Sequence, residues 1–379
     1  MQKKSLDKNF WKDKKVLVTG HTGFKGGWLS LWLSSMGAKV SGLSLPPEKM
    51  SFYHAVHLES LVENFFCDIG DYKKTKECFE KINPDIVFHL AAQPLVLDSY
   101  LDPIYTYQTN VMGTLHLLEL SKKVRTVKAF INVTTDKCYE NKNWEWGYRE
   151  NDPLGGHDPY SSSKACSELL TNSFRLSFCS NQSEDSFFSL ASLRAGNVFG
   201  GGDWAHNRLI PDAARALAEE KTLVIRNPHA TRPWQFVLEP LRAYIQVAEK
   251  LWNDPLEFSE AWNVGPDDKD VVSVETILKL FYASWGNEKL LKIENESPKL
   301  HEGSQLKLDS SKLKSRVGWK QNFYLEDALE ATSLWYKTYY RTTKNPEKMR
   351  NLSLEQISNS YENPFYLNQK DNTHSHELQ

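Results

Sequence analysis

The stretch Val133-Thr134-Thr135-Asp136-Lys137-Cys138-Tyr139 sets a hydroxyl, a carboxylate and an ammonium on consecutive residues, directly after an apolar run. Such a set can hold, donate or accept protons; alternatively, the lysine is a solvated neighbour beyond a strand. Further on, Tyr160-Ser161-Ser162-Ser163-Lys164 spaces a phenol and an ammonium four residues apart, on one face of a helix. Positive charge nearby, such as the Lys164 ammonium, lowers a phenol from its reference pKa of about 10. Tyr160 is therefore a candidate base for a substrate hydroxyl.

A third set, Thr19-Gly20-His21-Thr22-Gly23-Phe24-Lys25-Gly26, is a GxxGxxG motif at the end of one expected strand and the opening of a helix. Gly20, Gly23 and Gly26 permit a tight turn and the approach of a pyrophosphate to the helix N-terminus, with Thr22, Phe24 and Lys25 between them as further cofactor contacts. Two later strand ends fit the same ligand: Asp68-Ile69, where a carboxylate meets an adenine, and Leu90-Ala91-Ala92, where small residues admit a ribose. A bare glycine motif is equally a turn in another α/β protein. Its place after a strand and ahead of YxxxK favours dinucleotide binding.

These groups need a scaffold, and the hydrophobic pattern supplies one. Short β-branched runs at Lys15 to Thr19, Ala38 to Leu43, Asn64 to Cys67, Asp85 to Leu90, Ala129 to Thr134 and Ser189 to Leu193 alternate with amphipathic stretches such as Phe24 to Met36, Tyr105 to Val124 and Pro159 to Leu176. That is the α/β pattern of a doubly wound parallel sheet. After Ala195 a glycine-rich loop, Gly196 to Trp204, opens a region of short mixed elements. We expect a dinucleotide-binding domain with the catalytic residues over 1–195, a smaller, mainly substrate-binding α/β lobe over 196–340, and a solvated tail with one short helix over 341–379.

Composition bounds the ligands. The chain of 379 residues is 40% hydrophobic and 25% charged, with a formal net charge of -2. Neither a basic field for nucleic acid nor a polybasic membrane patch is present, and no stretch reads as a membrane span, so a cytoplasmic protein acting on a small molecule is expected. The five cysteines are scattered without a CxxC, and no His/Cys/Asp spacing suggests a metal. His21 and His301 are isolated and receive no chemistry.

Taken in order, TGxxGFxG, a strand ending in hydroxyls and YxxxK resemble the extended short-chain dehydrogenase/reductases, whose Rossmann-type fold would span roughly Lys12 to Tyr336. Within them, Gly20 to Leu29, His89 to Val96, Thr135 to Tyr139 and Arg194 to Trp204 are similar to the CDP-glucose 4,6-dehydratase family. The resemblance implies NAD, a nucleotide-sugar substrate (CDP-glucose), and a step toward dideoxyhexoses of bacterial surface polysaccharides. It also implies roles. Tyr160 takes the proton of the 4-hydroxyl, Thr135 binds the same oxygen, Lys164 holds the nicotinamide ribose, and Asp136 protonates the departing 6-hydroxyl. Gln93, Asn197, Arg208 and Arg232 are the substrate-binding candidates, the arginines for the pyrophosphate. Trp204 and Trp234 either stack on the base or fill the lobe's core.

Two departures stand out. The second strand ends Ser41-Gly42-Leu43-Ser44 without the acidic residue that binds adenosine ribose hydroxyls, so NAD over NADP rests on the resemblance. Lys137 stands where related dTDP-glucose dehydratases carry a glutamate base; it serves either as a neutral base, made so by burial and the Lys164 charge, or as a cation beside the enolate. Other readings are a dehydratase for another nucleotide sugar (dTDP-glucose or GDP-mannose), a 4-epimerase, and a non-catalytic dinucleotide sensor. An epimerase has no use for Asp136-Lys137, and a sensor has none for YxxxK. By analogy with the family, a homodimer or homotetramer forms through helices Tyr105 to Val124 and Pro159 to Leu176.

Overall fold

The computed structural model describes residues 6–179, 188–225, 227–293, 306–342 and 345–361. His301 and the last part of the expected tail, after Tyr361, lie outside them. Six strands, β1 (Lys15–Thr19), β2 (Lys39–Ser44), β3 (Glu63–Phe66), β4 (Ile86–His89), β5 (Ala129–Thr135) and β6 (Ser189–Ala195), form one parallel sheet. Most of them are near-continuous apolar runs because helices cover both faces of the sheet. Val16, Val18, Phe88 and Ile131 face one core; Leu17, Val87, Phe130 and Leu190 face the other.

Strands β7 (Asn197–Phe199), β8 (Leu223–Ile225), β9 (Thr231–Phe236), β10 (Ala261–Val264), β11 (Val271–Ser273) and β12 (Leu291–Ile293) follow. The large sheet has the order β10-β6-β5-β4-β1-β2-β3; β11-β9-β7 and β12-β8 form two small sheets. This is a Rossmann-type α/β architecture. Its strand order reverses between β1 and β4, so the crevice beyond Thr19 and His89 is where such sheets take their ligands.

Two features differ from the expected division. After leaving the sheet at Ala195 the chain returns to it: β10 pairs in parallel with β6, and helix Leu238–Asn253 packs on β5 and β6. An uncovered β6 edge would leave backbone groups unpaired, and buried Trp262 and Val264 close it. Beyond residue 341, helix Pro346–Tyr361 is an ordered sixteen-residue element. It buries Met349 and Ile357 and sits on helices Phe24–Ser35 and Phe52–Ala55.

Candidate active site

The glycine loop is built as a close approach. Gly20 has φ +75°, and a Cβ there would come within 2.9 Å of the Ala91 nitrogen. At Gly26 a Cβ would lie 2.1 Å from the Gly20 carbonyl oxygen, so the helix start is packed directly on the turn. Gly23 occupies the N-cap of helix Phe24–Ser35 and offers no side chain to the first N–H groups. Those groups remain for a ligand anion. Thr22 is spent on Ser44 Oγ (2.9 Å) and the Leu45 carbonyl (3.0 Å), which fixes the loop against β2.

A buried relay braces the floor of this crevice. Thr19 Oγ1 accepts the N–H groups of Leu90 and Ala91, both at 3.1 Å, and its hydroxyl meets His89 Nδ1 at 2.8 Å. His89 Nε2 meets Thr114 Oγ1 at 3.0 Å, while the Thr114 hydroxyl donates to the Asn110 carbonyl at 2.7 Å. The donors fix a neutral ring carrying its hydrogen on Nε2. Burial, with the Lys164 charge, pulls His89 down to about 3. Burial likewise pulls His21 down to about 4; its ring joins Ser44 Oγ and Asn64 Oδ1.

Just past β3, Asp68 Oδ1 accepts the Gly70 N–H at 2.8 Å, and the Ile69 carbonyl contacts His116. Leu90, Ala91 and Ala92 line the turn after β4, half-buried. The Gln93 amide bonds to Leu95 and Thr106, and its backbone to Asn110. Asn110 sits in a π-helical turn, Gln108–Met112, and also donates to Ser163 Oγ at 2.9 Å. Ser163 in turn donates to the Tyr160 carbonyl, so one amide ties the β4 turn to the YxxxK helix.

The sequence-expected catalytic groups converge at the ends of β5 and helix Pro159–Phe174, which starts with an Asp158 cap and proline at its first turn. Thr135 Oγ1 donates to Asp136 Oδ1 at 2.8 Å and accepts the Lys137 N–H at 3.3 Å, with the Tyr160 phenol close enough for the Thr135 hydroxyl to lower its pKa. Burial pushes Tyr160 up to about 12, while the Thr135 bond and the Arg208 charge work against it. This is opposite to the direction expected from a neighbouring lysine: desolvation outweighs the Arg208 charge and the Thr135 hydroxyl. Lys164 is pulled down to about 8 by burial, with the Glu168 carboxylate opposing. Asp136 is raised by burial against the Lys137 ammonium, the Thr135 bond and the Arg232 charge, which favours its protonated form. Lys137 is half-buried at the edge of this group.

Cations complete the site. Burial and the charges of Lys164 and Arg208 pull Lys25 down to about 8, so the glycine loop and the second lobe meet here. Arg208 is bound to Asp203 at 2.8 Å, and Arg232 on β9 donates to the Thr231 carbonyl. Asn197 lies on β7, in register with Trp234. Gly196 abuts Asp136: a Cβ there would be 3.2 Å from Asp136 Oδ2. Both tryptophans belong to the core, Trp204 against Trp335 and Tyr339, and Trp234 donating to the Val272 carbonyl.

Sequence reading missed Glu168 and Arg194, a buried ion pair at 2.8 Å directly behind Lys164. A signal existed: Glu168 continues the Tyr160, Lys164 spacing by one more turn, and Arg194 is a charge inside an apolar strand.

A parallel sheet with a glycine cradle at its switch point and a hydroxyl–carboxylate–phenol cluster at the end of β5 defines a dinucleotide-dependent enzyme class acting on alcohols. Residues 17–332 match the family model described as GDP-mannose 4,6 dehydratase, and the chain belongs to that family. It is 50% identical over 338 residues, 89% of this chain and 94% of the relative, to CDP-glucose 4,6-dehydratase of Salmonella typhimurium. It is 27% identical to dTDP-glucose 4,6-dehydratase of Xanthomonas campestris, over 85% and 93% of the two chains. Among solved structures, UDP-glucose 4-epimerase of Thermotoga maritima superposes with a TM-score of 0.73 at 24% identity, covering 87% of this chain and 99% of that one. The dTDP-glucose 4,6-dehydratase of Bacillus anthracis in complex with NAD gives 0.70 at 21%, with the same coverage.

Proposed function

We propose that this chain is a nucleotide-sugar 4,6-dehydratase that converts CDP-glucose to CDP-4-keto-6-deoxyglucose and water. The observation that carries the reading is the buried convergence of Thr135, Asp136 and Tyr160, with Lys164 and Lys137 beside them. The 50% identity to the Salmonella CDP-glucose enzyme supports the choice of sugar nucleotide. The cradle of Gly20, Gly23 and Gly26, too close for any side chain at Gly26, fits a dinucleotide pyrophosphate. Lys25 extends it, with Asp68 and Ile69 at the adenine end, Leu90 to Ala92 at the ribose, and Lys164 at the nicotinamide ribose. NAD held by these residues would supply reversible hydride chemistry, accepting a hydride from C4 of the sugar and giving it back at C6, so that no external reductant would be consumed.

The chain's residues manage the protons. Tyr160 accepts the 4-hydroxyl proton while Thr135 holds that oxygen. Positive charge beside the phenol, from Lys164 and a nicotinamide, would offset the desolvation that raises it. The 4-ketone acidifies the C5 hydrogen, and Asp136, whose carboxyl burial shifts toward its protonated form, protonates the leaving 6-hydroxyl. Lys137 serves the C5 side, as proton acceptor or as the cation beside the enolate. Arg208, Arg232 and Asn197 of the 196–340 lobe bind the nucleotide diphosphate and sugar; residues 1–195 bind NAD.

We place the enzyme in the cytoplasm, where its substrates are made, in keeping with five free thiols. Exposed Tyr100, Leu101 and Ile104 (62%, 85% and 78% accessible), with Leu169 and Leu176 on the adjacent helix faces, support pairing of two copies through these helices. Purified protein given NAD and, separately, CDP-glucose, dTDP-glucose, UDP-glucose and GDP-mannose tests the reading. Formation of 4-keto-6-deoxy product from CDP-glucose in preference to the others is expected. Product from another sugar nucleotide alone would overturn the substrate, and inversion at C4 without loss of water would favour a 4-epimerase.

A further inference from the structure

Behind the reacting groups lies a buried polar network that no proton step uses. Glu168 stands one turn beyond Lys164 and two beyond Tyr160 on the same helix. Its carboxylate accepts the Thr134 hydroxyl from β5, the Ser192 hydroxyl from β6 at 2.9 Å, and Arg194 Nη2 at 2.8 Å. The other Arg194 nitrogen donates to Tyr139 Oη at 2.7 Å and to the Glu150 carbonyl at 3.0 Å. Tyr139 Oη then donates to Asn263 Oδ1 at 2.7 Å, on β10. Thr134 immediately precedes the turn Thr135–Cys138, and Tyr139 immediately follows it.

We infer that the Glu168–Arg194 pair is the positioning device of the elimination step: it grips both flanks of the turn that carries Asp136 and Lys137 and sets that turn against the helix that carries Tyr160 and Lys164. The inference rests on the proposed roles of Asp136 and Lys137. A buried ion pair is a poor choice for stability alone, since apolar residues of the same volume serve as well or better. What the pair adds is direction. A carboxylate taking three donors and a planar guanidinium reaching three acceptors fix neighbours at set angles, which aliphatic packing does not. The negative charge of Glu168 also favours the Lys164 ammonium, coupling the two halves of the site electrostatically.

Tyr139→Phe removes one hydroxyl and keeps a ring stacked on Tyr148, and Thr134→Val removes the other contact at nearly constant volume. Both keep the ion pair itself, so the fold does not depend on a stranded charge. Rapid-quench mass spectrometry on the NAD-loaded protein then separates 4-keto sugar that retains its 6-hydroxyl from the 4-keto-6-deoxy product. In both variants loss of water should slow about tenfold or more and oxidation at C4 distinctly less, because a displacement near 1 Å of the turn misplaces Asp136 and Lys137 outright, whereas oxidation loses only the Thr135 contact and keeps Tyr160 and Lys164 on their helix. In the free variants, amide hydrogen exchange over 134–139 should accelerate, with the strand ends elsewhere unchanged. Partitioning and exchange equal to wild type, or equal slowing of both steps, would overturn the inference. A wild-type chain that does not oxidise CDP-glucose would overturn the assigned function and this inference with it; a wild type that turns over beside unaltered variants overturns the inference alone.

Discussion

Asp136 and Tyr160 share Thr135 yet are assigned opposite proton duties, and their surroundings keep those duties apart. Burial raises both, which moves a carboxyl toward the acid form that can donate, whereas a phenol needs positive charge beside it to favour the phenolate that can accept. Tyr160→Phe should therefore stop the reaction before C4 is oxidised, lowering turnover about 10²- to 10⁴-fold. Asp136→Asn should lower turnover by a similar factor but leave C4 oxidation intact, so quenched samples contain 4-keto sugar with its 6-hydroxyl. Equal absence of that species in both variants would contradict the division of labour. At this scale the groups were legible from spacing: YxxxK and the Thr-Asp-Lys run can be read off the chain. Their protonation was not, because it depends on burial and on the opposing charges of residues far away in sequence, Arg208 for Tyr160 and Arg232 for Asp136. The bonds of the Gln93 amide to Thr106 and Leu95 show the same limit, since they depend on how the chain turns after β4.

The elements that carry the site depend on neutral imidazoles. His89 joins β4 to β1 and helix Gly113–Lys123, and His21 joins the glycine loop to β2 and β3. A proton on His89 Nδ1 would face Thr19 Oγ1, which already accepts two backbone N–H groups. Both folded pKa values, about 3 for His89 and about 4 for His21, lie below the reference of 6.5. The unfolded chain thus binds more protons below pH 6.5, so stability falls as pH drops through the window from 6.5 toward 4. Each histidine should cost roughly 2 kcal/mol by about pH 4.5. Denaturant unfolding at several pH values checks this, and His89→Asn should flatten the acid dependence by about half. The strands themselves were legible because parallel strands are continuous apolar runs. Strand β10 was not, being four residues whose partner, β6, lies far back in the chain. Nor was the last helix: its buried face includes Ser353, Gln356 and Ser360, so composition reads as solvated where helical spacing reads as packed.

The whole molecule joins two halves around one cavity floor: Phe24 lies close enough to Gly200 to meet a Cβ placed there, Trp28 donates to the Gly201 carbonyl, and Asp136 abuts Gly196. The exposed apolar face around Leu101 and Ile104 should be covered by a second copy; Leu101→Glu with Ile104→Glu should shift sedimentation from dimer to monomer, and an unchanged species would contradict pairing there. The central claim concerns the fate of one hydrogen. CDP-glucose deuterated at C4 should yield CDP-4-keto-6-deoxyglucose carrying the deuterium at C6, with catalytic NAD sufficient for full conversion. Product without deuterium at C6, or deuterium still at C4 of an inverted sugar, would contradict internal oxidation, elimination and reduction by this chain.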